Sequence, residues 1–162
     1  MANEPSELSF AELKAQVVAV TKAQNKMMMR NSTVADADRL FDMYTKDFIY
    51  IHEVYGGEYS KAHLYNNTLK YLKSGGYNRD ADRYTLINII VGLNAVAVQR
   101  KENDGDLHLA VFEFKGDKVS KIIEYWKWLS DIFCLTSQDQ RGQILVVPLM
   151  LLIVRQVMYV EN

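Results

Sequence analysis

The chain has 162 residues with 19 basic and 20 acidic side chains, which gives a formal net charge of −1. This balance lacks the basic surface that nucleic acids and anionic membranes attract, so we expect neither as a partner. A single cysteine, Cys134, excludes an internal disulfide. The acidic N-terminus lacks the basic and then apolar order of a signal peptide, so the sequence predicts a cytoplasmic protein.

The first half of the chain predicts three helices and one strand. Ser9 and Glu12 form a capping-box pattern, and Thr33 precedes a second helix with Asp36 in its first turn. Ser60 can cap a third helix, which is predicted to end at the glycines at 75 and 76. The aromatic and β-branched residues 47–55 indicate a strand before this third helix. The apolar stripe of the first helix is expected to comprise Phe10, Leu13, Val17, Val20 and Gln24.

The chain from residue 84 to residue 126 predicts a three-stranded antiparallel meander with two tight turns. The Gly-Asp pair at 116–117 suits a two-residue loop, and the Asp-Gly pair at 104–105 is a strong hairpin signal. Counting outward from these turns pairs Arg100 with Leu109, and Leu109 with Glu124. The three side chains are therefore predicted to lie in one row across the sheet.

Alternation along these strands places Glu124 on a largely apolar face of the sheet. A carboxyl among Leu, Ile and Trp side chains loses hydration, which predicts a raised pKa and makes Glu124 a candidate for proton transfer. In the alternative, Glu124 is a structural carboxylate that pairs with Arg100 across Leu109, or lies in water at the rim of the sheet. Four other side chains share this face and would line any pocket that the sheet encloses: Asn94, Arg100, Leu109 and Trp126.

The order of two helices, a strand, a helix and a meander predicts an α+β domain. Two stretches resemble the SnoaL-like branch of the nuclear transport factor 2 superfamily. They are residues 47–52 with the Gly-Gly-Glu-Tyr that follows at 56–59, and the Lys-Gly-Asp-Lys-Val at 115–119 that leads to Ile-Glu-Tyr-Trp at 123–126. The resemblance implies a cone-shaped, curved antiparallel sheet packed on the N-terminal helices and enclosing a pocket, in a domain of residues 1–128.

The resemblance also implies site residues and a function. SnoaL-like cyclases use an acidic residue of the last strand beside a pocket histidine, and the position that matches this acid is Glu124. Tyr50 or His52 would then stabilise an enolate by hydrogen bonding. The implied function is a cofactor-free acid–base cyclase or isomerase that acts on a small hydrophobic carbonyl compound, and the implied assembly is a homodimer. The alternative is a non-catalytic ligand-binding or dimerisation module of the same fold, in which His52 is a core histidine.

No motif in the sequence indicates a metal or a nucleotide cofactor. The three histidines lack metal-ligand spacing, and His63 and His108 are predicted to be structural or surface residues. Residues 129–162 depart from the resemblance and form an extension to which no role is assigned. Its apolar run at 144–154 is shorter than the roughly 20 residues that span a bilayer, and Pro148 interrupts it, so we expect no membrane partner.

Overall fold

Three helices and six strands make up the part of the chain that the computed structural model describes, residues 7–53 and 56–125. The helices are α1 (Phe10–Met27), α2 (Val34–Asp42) and α3 (Lys61–Lys73). The strands are β1 (Tyr44–His52), β2 (Gly57–Ser60), β3 (Tyr84–Val91), β4 (Ala95–Glu102), β5 (Leu107–Lys115) and β6 (Lys118–Tyr125). Trp126 and the extension 129–162 lie outside the described residues.

Each helix begins at the capping residue that the sequence predicts. The Ser9 hydroxyl accepts a hydrogen bond from the Glu12 N–H at 3.3 Å, and the Glu12 carboxylate accepts one from the Ser9 N–H at 2.8 Å. Thr33 and Asp36 form a second capping box, and Ser60 caps α3. These reciprocal bonds satisfy N–H groups that the first turn of a helix leaves unpaired.

The six strands form one open, curved sheet in the order β2-β1-β6-β5-β4-β3, packed on the helices. The predicted α+β fold class is therefore confirmed. Two details differ from the prediction. β1 and β6 run parallel, whereas every other neighbouring pair is antiparallel. The segment predicted as the first strand of the meander forms two strands, β3 and β4. They pair as a hairpin, because the chain turns at Asn94, whose φ is 52°.

One face of the sheet packs on the helices and forms the core. Leu13, Val17 and Val20 of α1 are buried there, as predicted, but Phe10 is 63% exposed, so its predicted place in the apolar stripe is wrong. Phe10 is the first residue of α1, where the helix extends beyond the core. No helix in the described residues is both long and apolar enough to cross a membrane.

The predicted register of β4–β5 is wrong by one residue. That of β5–β6 is correct at the pair Phe114–Val119 and wrong by one residue beyond it. Arg100 pairs with His108, and Glu124 pairs with Ala110. Because side chains alternate along a strand, a shift of one residue moves the whole of β5 to the opposite face. Leu109 therefore lies on the outer face, away from Arg100 and Glu124, and His108 takes the inner position that the sequence analysis gave to Leu109.

Both register errors have a local cause. The β4–β5 loop has three residues and not two, because the N–H of Glu102 donates to the carbonyl of Asp106, and Gly105 takes a φ of 101°. In β6, Ser120 is an extra residue between the pairs Phe114–Val119 and Glu113–Lys121, which makes a β-bulge. The two shifts add up to two residues between β4 and β6, so Glu124 lies in the row of Val98 and not in that of Arg100. Because an even shift preserves the face, Arg100 and Glu124 still both point inward.

Candidate functional site

Glu124 lies on the inner face of β6 and is 3% exposed. Its Oε1 accepts a hydrogen bond from Nη2 of Arg100, which makes a buried ion pair. Its Oε2 accepts a hydrogen bond from the Tyr50 hydroxyl at 2.8 Å. Both carboxylate oxygens therefore have donors, although the side chain is out of contact with bulk water.

Arg100 is fully buried and also contacts His108, Gln24 and Tyr84. Its Nε donates to Nε2 of His108 at 3.0 Å, and its Nη1 donates to Oε1 of Gln24 at 2.9 Å. Its guanidinium also lies 4.0 Å from the centroid of the Tyr84 ring. These contacts replace the hydration that a buried guanidinium loses, which explains how a charged side chain is accommodated in the core.

The electrostatics of the site keep Glu124 ionised. Burial by itself would raise the pKa of Glu124, but the charge of Arg100, the nearby His108 and the hydrogen bonds from Tyr50 and Arg100 together lower it below its usual value. The predicted raised pKa is therefore wrong. The alternative, in which Glu124 pairs with Arg100, is the arrangement observed, although the pair does not form across Leu109. Burial and the Glu124 charge raise the pKa of Tyr50, so its hydroxyl stays protonated.

His108 is a neutral member of this network. It is 2% exposed, and burial together with the charge of Arg100 lowers its pKa to about 4. Since Nε2 accepts the hydrogen bond from Arg100, the proton of the neutral ring lies on Nδ1. His108 was predicted to be a structural or surface residue. It does not lie on the surface, and its role is structural in the sense that its ring positions Arg100.

A cavity of about 250 Å³ lies between the helices and the inner face of the sheet. Glu124 and Tyr50 contribute to its polar lining, and Arg83 lies at its wall, where it pairs with Glu102 at 2.9 Å. Most of the remaining wall is apolar. The lining residues come from all three helices and from β1, β3 and β6, and include Met27, Leu40, Phe41, Tyr44, Phe48, Leu64, Tyr84 and Ile122.

His52 is close to the site without lining the cavity. It is 8% exposed, it is the backbone partner of Glu124 across the β1–β6 pair, and its ring centroid lies 6.1 Å from that of Tyr50. Burial lowers the pKa of His52, so the ring is neutral at pH 7. Its place next to Glu124 follows from strand pairing, whereas its chemical role stays a prediction.

Two of the predicted pocket residues, Leu109 and Asn94, lie apart from Glu124. Leu109 is on the outer face of the sheet because of the β5 register. Asn94 is in the β3–β4 turn, where its side chain donates to the Glu7 carboxylate at 3.2 Å. Trp126 lies outside the described residues, so its placement stays a prediction. In the described part of the chain, no group of three or more potential metal ligands is present.

Sequence reasoning missed His108, Gln24, Tyr44 and Tyr84 as members of the site. Gln24 was assigned to the apolar stripe of α1, and this position is indeed on the inner face of the helix. A polar residue in an otherwise apolar stripe was the signal that could have identified it, because a buried amide needs hydrogen-bond partners. The position of His108 was lost with the register of β5.

Similarity to known proteins is confined to structure. No protein-family model matches the chain, and no curated protein matches its sequence. A SnoaL-like protein of unknown function from Burkholderia thailandensis is 18% identical, with a TM-score of 0.56 over 75% of this chain and 98% of that one. An NTF-2 like protein of unknown function from Pseudomonas aeruginosa is 15% identical, with a TM-score of 0.55 over 71% and 98%. Another, from Burkholderia xenovorans, is 16% identical, with a TM-score of 0.52 over 72% and 83%.

Proposed function

We propose that this chain, which has the nuclear transport factor 2-like fold, binds a small uncharged molecule in the cavity between its helices and its sheet. The observation that carries the proposal is a cavity with mostly apolar walls and a few fixed polar groups around Glu124. Small-molecule sites in proteins have this composition, in which apolar walls supply affinity and a few polar groups supply orientation.

The size of the cavity limits the ligand to one or two rings. An apolar protein cavity of about 150 Å³ is known to hold benzene, and typical ligand pockets measure about 300–1,000 Å³. At about 250 Å³, this cavity lies between the two. A bicyclic ketone such as 1-indanone is therefore a suitable probe, and it carries the carbonyl group that the resemblance to SnoaL-like proteins implies.

The charges around the cavity favour a neutral ligand. Arg100 is paired with Glu124, and Arg83, which is partly exposed, is paired with Glu102, so these charges beside the cavity are balanced within the protein. A charged ligand would lose its hydration on entry without meeting an unbalanced protein charge.

Leu64 provides a direct test of the proposed site. It lines the cavity, so Leu64→Trp fills space that the ligand needs, whereas Leu93 is 74% exposed in a turn. In titration calorimetry, Leu64→Trp should weaken 1-indanone binding at least tenfold, and the matched control Leu93→Trp should leave it unchanged. Circular dichroism would verify that both variants fold. No binding to the intact chain, or equal binding by both variants, would contradict the proposal.

A second candidate function, proton transfer, is favoured by the ionised carboxylate of Glu124 at the cavity. A carboxylate with a lowered pKa is a weak base, but a base positioned next to a carbonyl compound can still remove an α-proton. The test is hydrogen–deuterium exchange at the carbon next to the carbonyl of 1-indanone, followed by proton NMR. A cyclase or isomerase predicts exchange faster than in buffer that Glu124→Gln abolishes. A binding protein without catalysis predicts exchange at the buffer rate.

A further inference from the structure

We infer that the Tyr44 hydroxyl donates a hydrogen bond into the cavity, so that the site selects uncharged molecules with a hydrogen-bond acceptor such as a carbonyl oxygen. The inference rests on the proposed function, since it concerns the ligand of the same cavity. It follows from the direction of successive hydrogen bonds from Arg100 through Gln24 to Tyr44.

The first step fixes the orientation of the Gln24 amide. Arg100 has only donors, so the atom of Gln24 that lies 2.9 Å from Nη1 of Arg100 must be the oxygen, Oε1. Because the amide is planar, its NH₂ group then points to the other side. Arg100 is fully buried and held by Glu124 and His108, so the amide of Gln24 cannot reverse without leaving a buried guanidinium N–H unpaired.

The second step fixes the role of the Tyr44 hydroxyl. Nε2 of Gln24 donates to Oη of Tyr44 at 3.3 Å, so a lone pair of the hydroxyl is used. The single hydroxyl proton of Tyr44 must then point elsewhere. Within residues 7–53 and 56–125, no side chain or carbonyl accepts it. Tyr50 differs, because its proton is already donated to Glu124.

The ring of Tyr44 is held firmly at the cavity wall. It stacks on Phe48 with ring centroids 4.1 Å apart and meets the edge of Phe41 at 5.5 Å. Tyr44 is 4% exposed and lines the cavity. Burial and the charge of Glu124 raise its pKa, so the proton stays on the hydroxyl. A rigid, protonated hydroxyl at an apolar wall orients a ligand at little cost in conformational entropy.

Two probes of similar shape separate this inference from the proposed function. Indane is a bicyclic hydrocarbon, and 1-indanone adds one carbonyl oxygen to it. In titration calorimetry, the intact chain should bind 1-indanone about 3- to 10-fold more tightly than indane, the range expected for one net hydrogen bond. Tyr44→Phe should remove this preference and leave the affinity for indane unchanged.

A second variant tests the direction of the hydrogen bonds. In Gln24→Glu, both side-chain oxygens are acceptors, so the Tyr44 hydroxyl should donate to Glu at position 24 and be lost to the ligand. The preference for 1-indanone should disappear although Tyr44 is intact. Tyr65→Phe is the matched control, because the Tyr65 hydroxyl bonds to exposed Asp38 at 2.6 Å and does not line the cavity. It should retain the full preference.

The outcomes are distinguishable. Failure of both probes to bind the intact chain would overturn the proposed function and this inference with it. Binding of both probes with a ratio that Tyr44→Phe does not change would overturn this inference alone. If Gln24→Glu does not fold, Tyr44→Phe decides the question, since the neighbouring aromatic rings still support a phenylalanine at that position.

Discussion

Glu124 and Arg100 form a buried ion pair, and its contribution to stability depends on the other side chains that bond to it. Taking both charges out of water is unfavourable, and their attraction compensates only when the remaining donors and acceptors are also satisfied. Tyr50, His108 and Gln24 supply those contacts. The network is therefore sensitive to the loss of any one charge, and less sensitive to the loss of both.

A double-mutant cycle on this pair tests the argument. Glu124→Gln should lower the free energy of unfolding by about 3–5 kcal/mol, because it leaves the Arg100 guanidinium buried without a counter-charge. Arg100→Met should lower the free energy of unfolding by a similar amount, because it leaves the Glu124 carboxylate buried without a counter-charge. The double variant should lose less than the sum of the two, by about 1–3 kcal/mol, in urea unfolding. Strictly additive losses would mean that the two side chains do not interact in solution.

His108 should make the stability of the protein depend on pH. Its pKa of about 4 in the folded chain is below the value of about 6.5 in the unfolded chain. Its contribution to stability is therefore complete above pH 6.5 and is lost as the pH falls towards 4, by up to about 3 kcal/mol. The groups that face it are Arg100 on β4, Tyr84 on β3 and Glu124 on β6.

His108→Gln is the variant that tests this dependence, because glutamine can still accept the hydrogen bond from Arg100 but does not titrate. Urea unfolding at several pH values should show a flatter curve between pH 6.5 and 4 than for the intact chain. Below pH 4.5 both proteins should still lose stability. The pKa of Glu124 is lowered in the folded chain, and protonation removes the charge that pairs with Arg100. His63→Gln, on the exposed side of α3, is the control, and an equal flattening there would argue against His108.

The meander shows how much of the site could be predicted from strand patterns. Alternation correctly placed Arg100 and Glu124 on one face, although both turn-based registers were wrong by one residue at these positions. The errors arose from a third loop residue between β4 and β5 and from the bulge at Ser120, and counting outward from two-residue turns allows for neither. His108 was consequently assigned to the wrong face, and its hydrogen bond with Arg100 could not be derived. The pair of Arg100 with Glu124 had been considered as an alternative, because both side chains were predicted to share a face.

The bulge in β6 implies that deleting one residue within it and one residue outside it should have different effects on stability. Val119 and Ile122 both point inward with two residues between them, so removing Ser120 restores simple alternation and keeps Glu124 on the inner face. Deletion of Ser120 should lower the free energy of unfolding by less than about 2 kcal/mol. Deletion of Ile123, in the regular part of the strand, should turn Glu124 outward and prevent folding. Thermal unfolding by circular dichroism measures both, and equal losses would contradict the assigned bulge.

Across the whole domain, the sequence predicts local features better than contacts between distant segments. Helix starts follow from local capping patterns, so α1, α2 and α3 were found at their correct first residues. The cavity could not be derived in the same way, because its lining comes from residues between 24 and 124 that are brought together only by the fold. The parallel pairing of β1 with β6 likewise joins segments far apart in the chain.

The predicted homodimer would form through the outer face of the sheet. An apolar row crosses five strands on this face, and its member on β3, Ile90, is 69% exposed. If two copies associate through this row, Ile90→Lys should shift the chain from dimer to monomer in sedimentation velocity at micromolar concentration. A monomeric intact chain would contradict the prediction. The row comprises Ile90, Ala97, Val111, Ile123 and Ile51.

The most direct test of the proposed site is a crystal structure of the chain with 5-bromo-1-indanone. The bromine gives an anomalous signal that locates the ligand without ambiguity. We expect the peak inside the cavity lined by Leu64 and Glu124, with the carbonyl oxygen about 2.5–3.0 Å from the Tyr44 hydroxyl. An empty cavity at saturating ligand concentration, or bromine peaks only on the protein surface, would contradict the account.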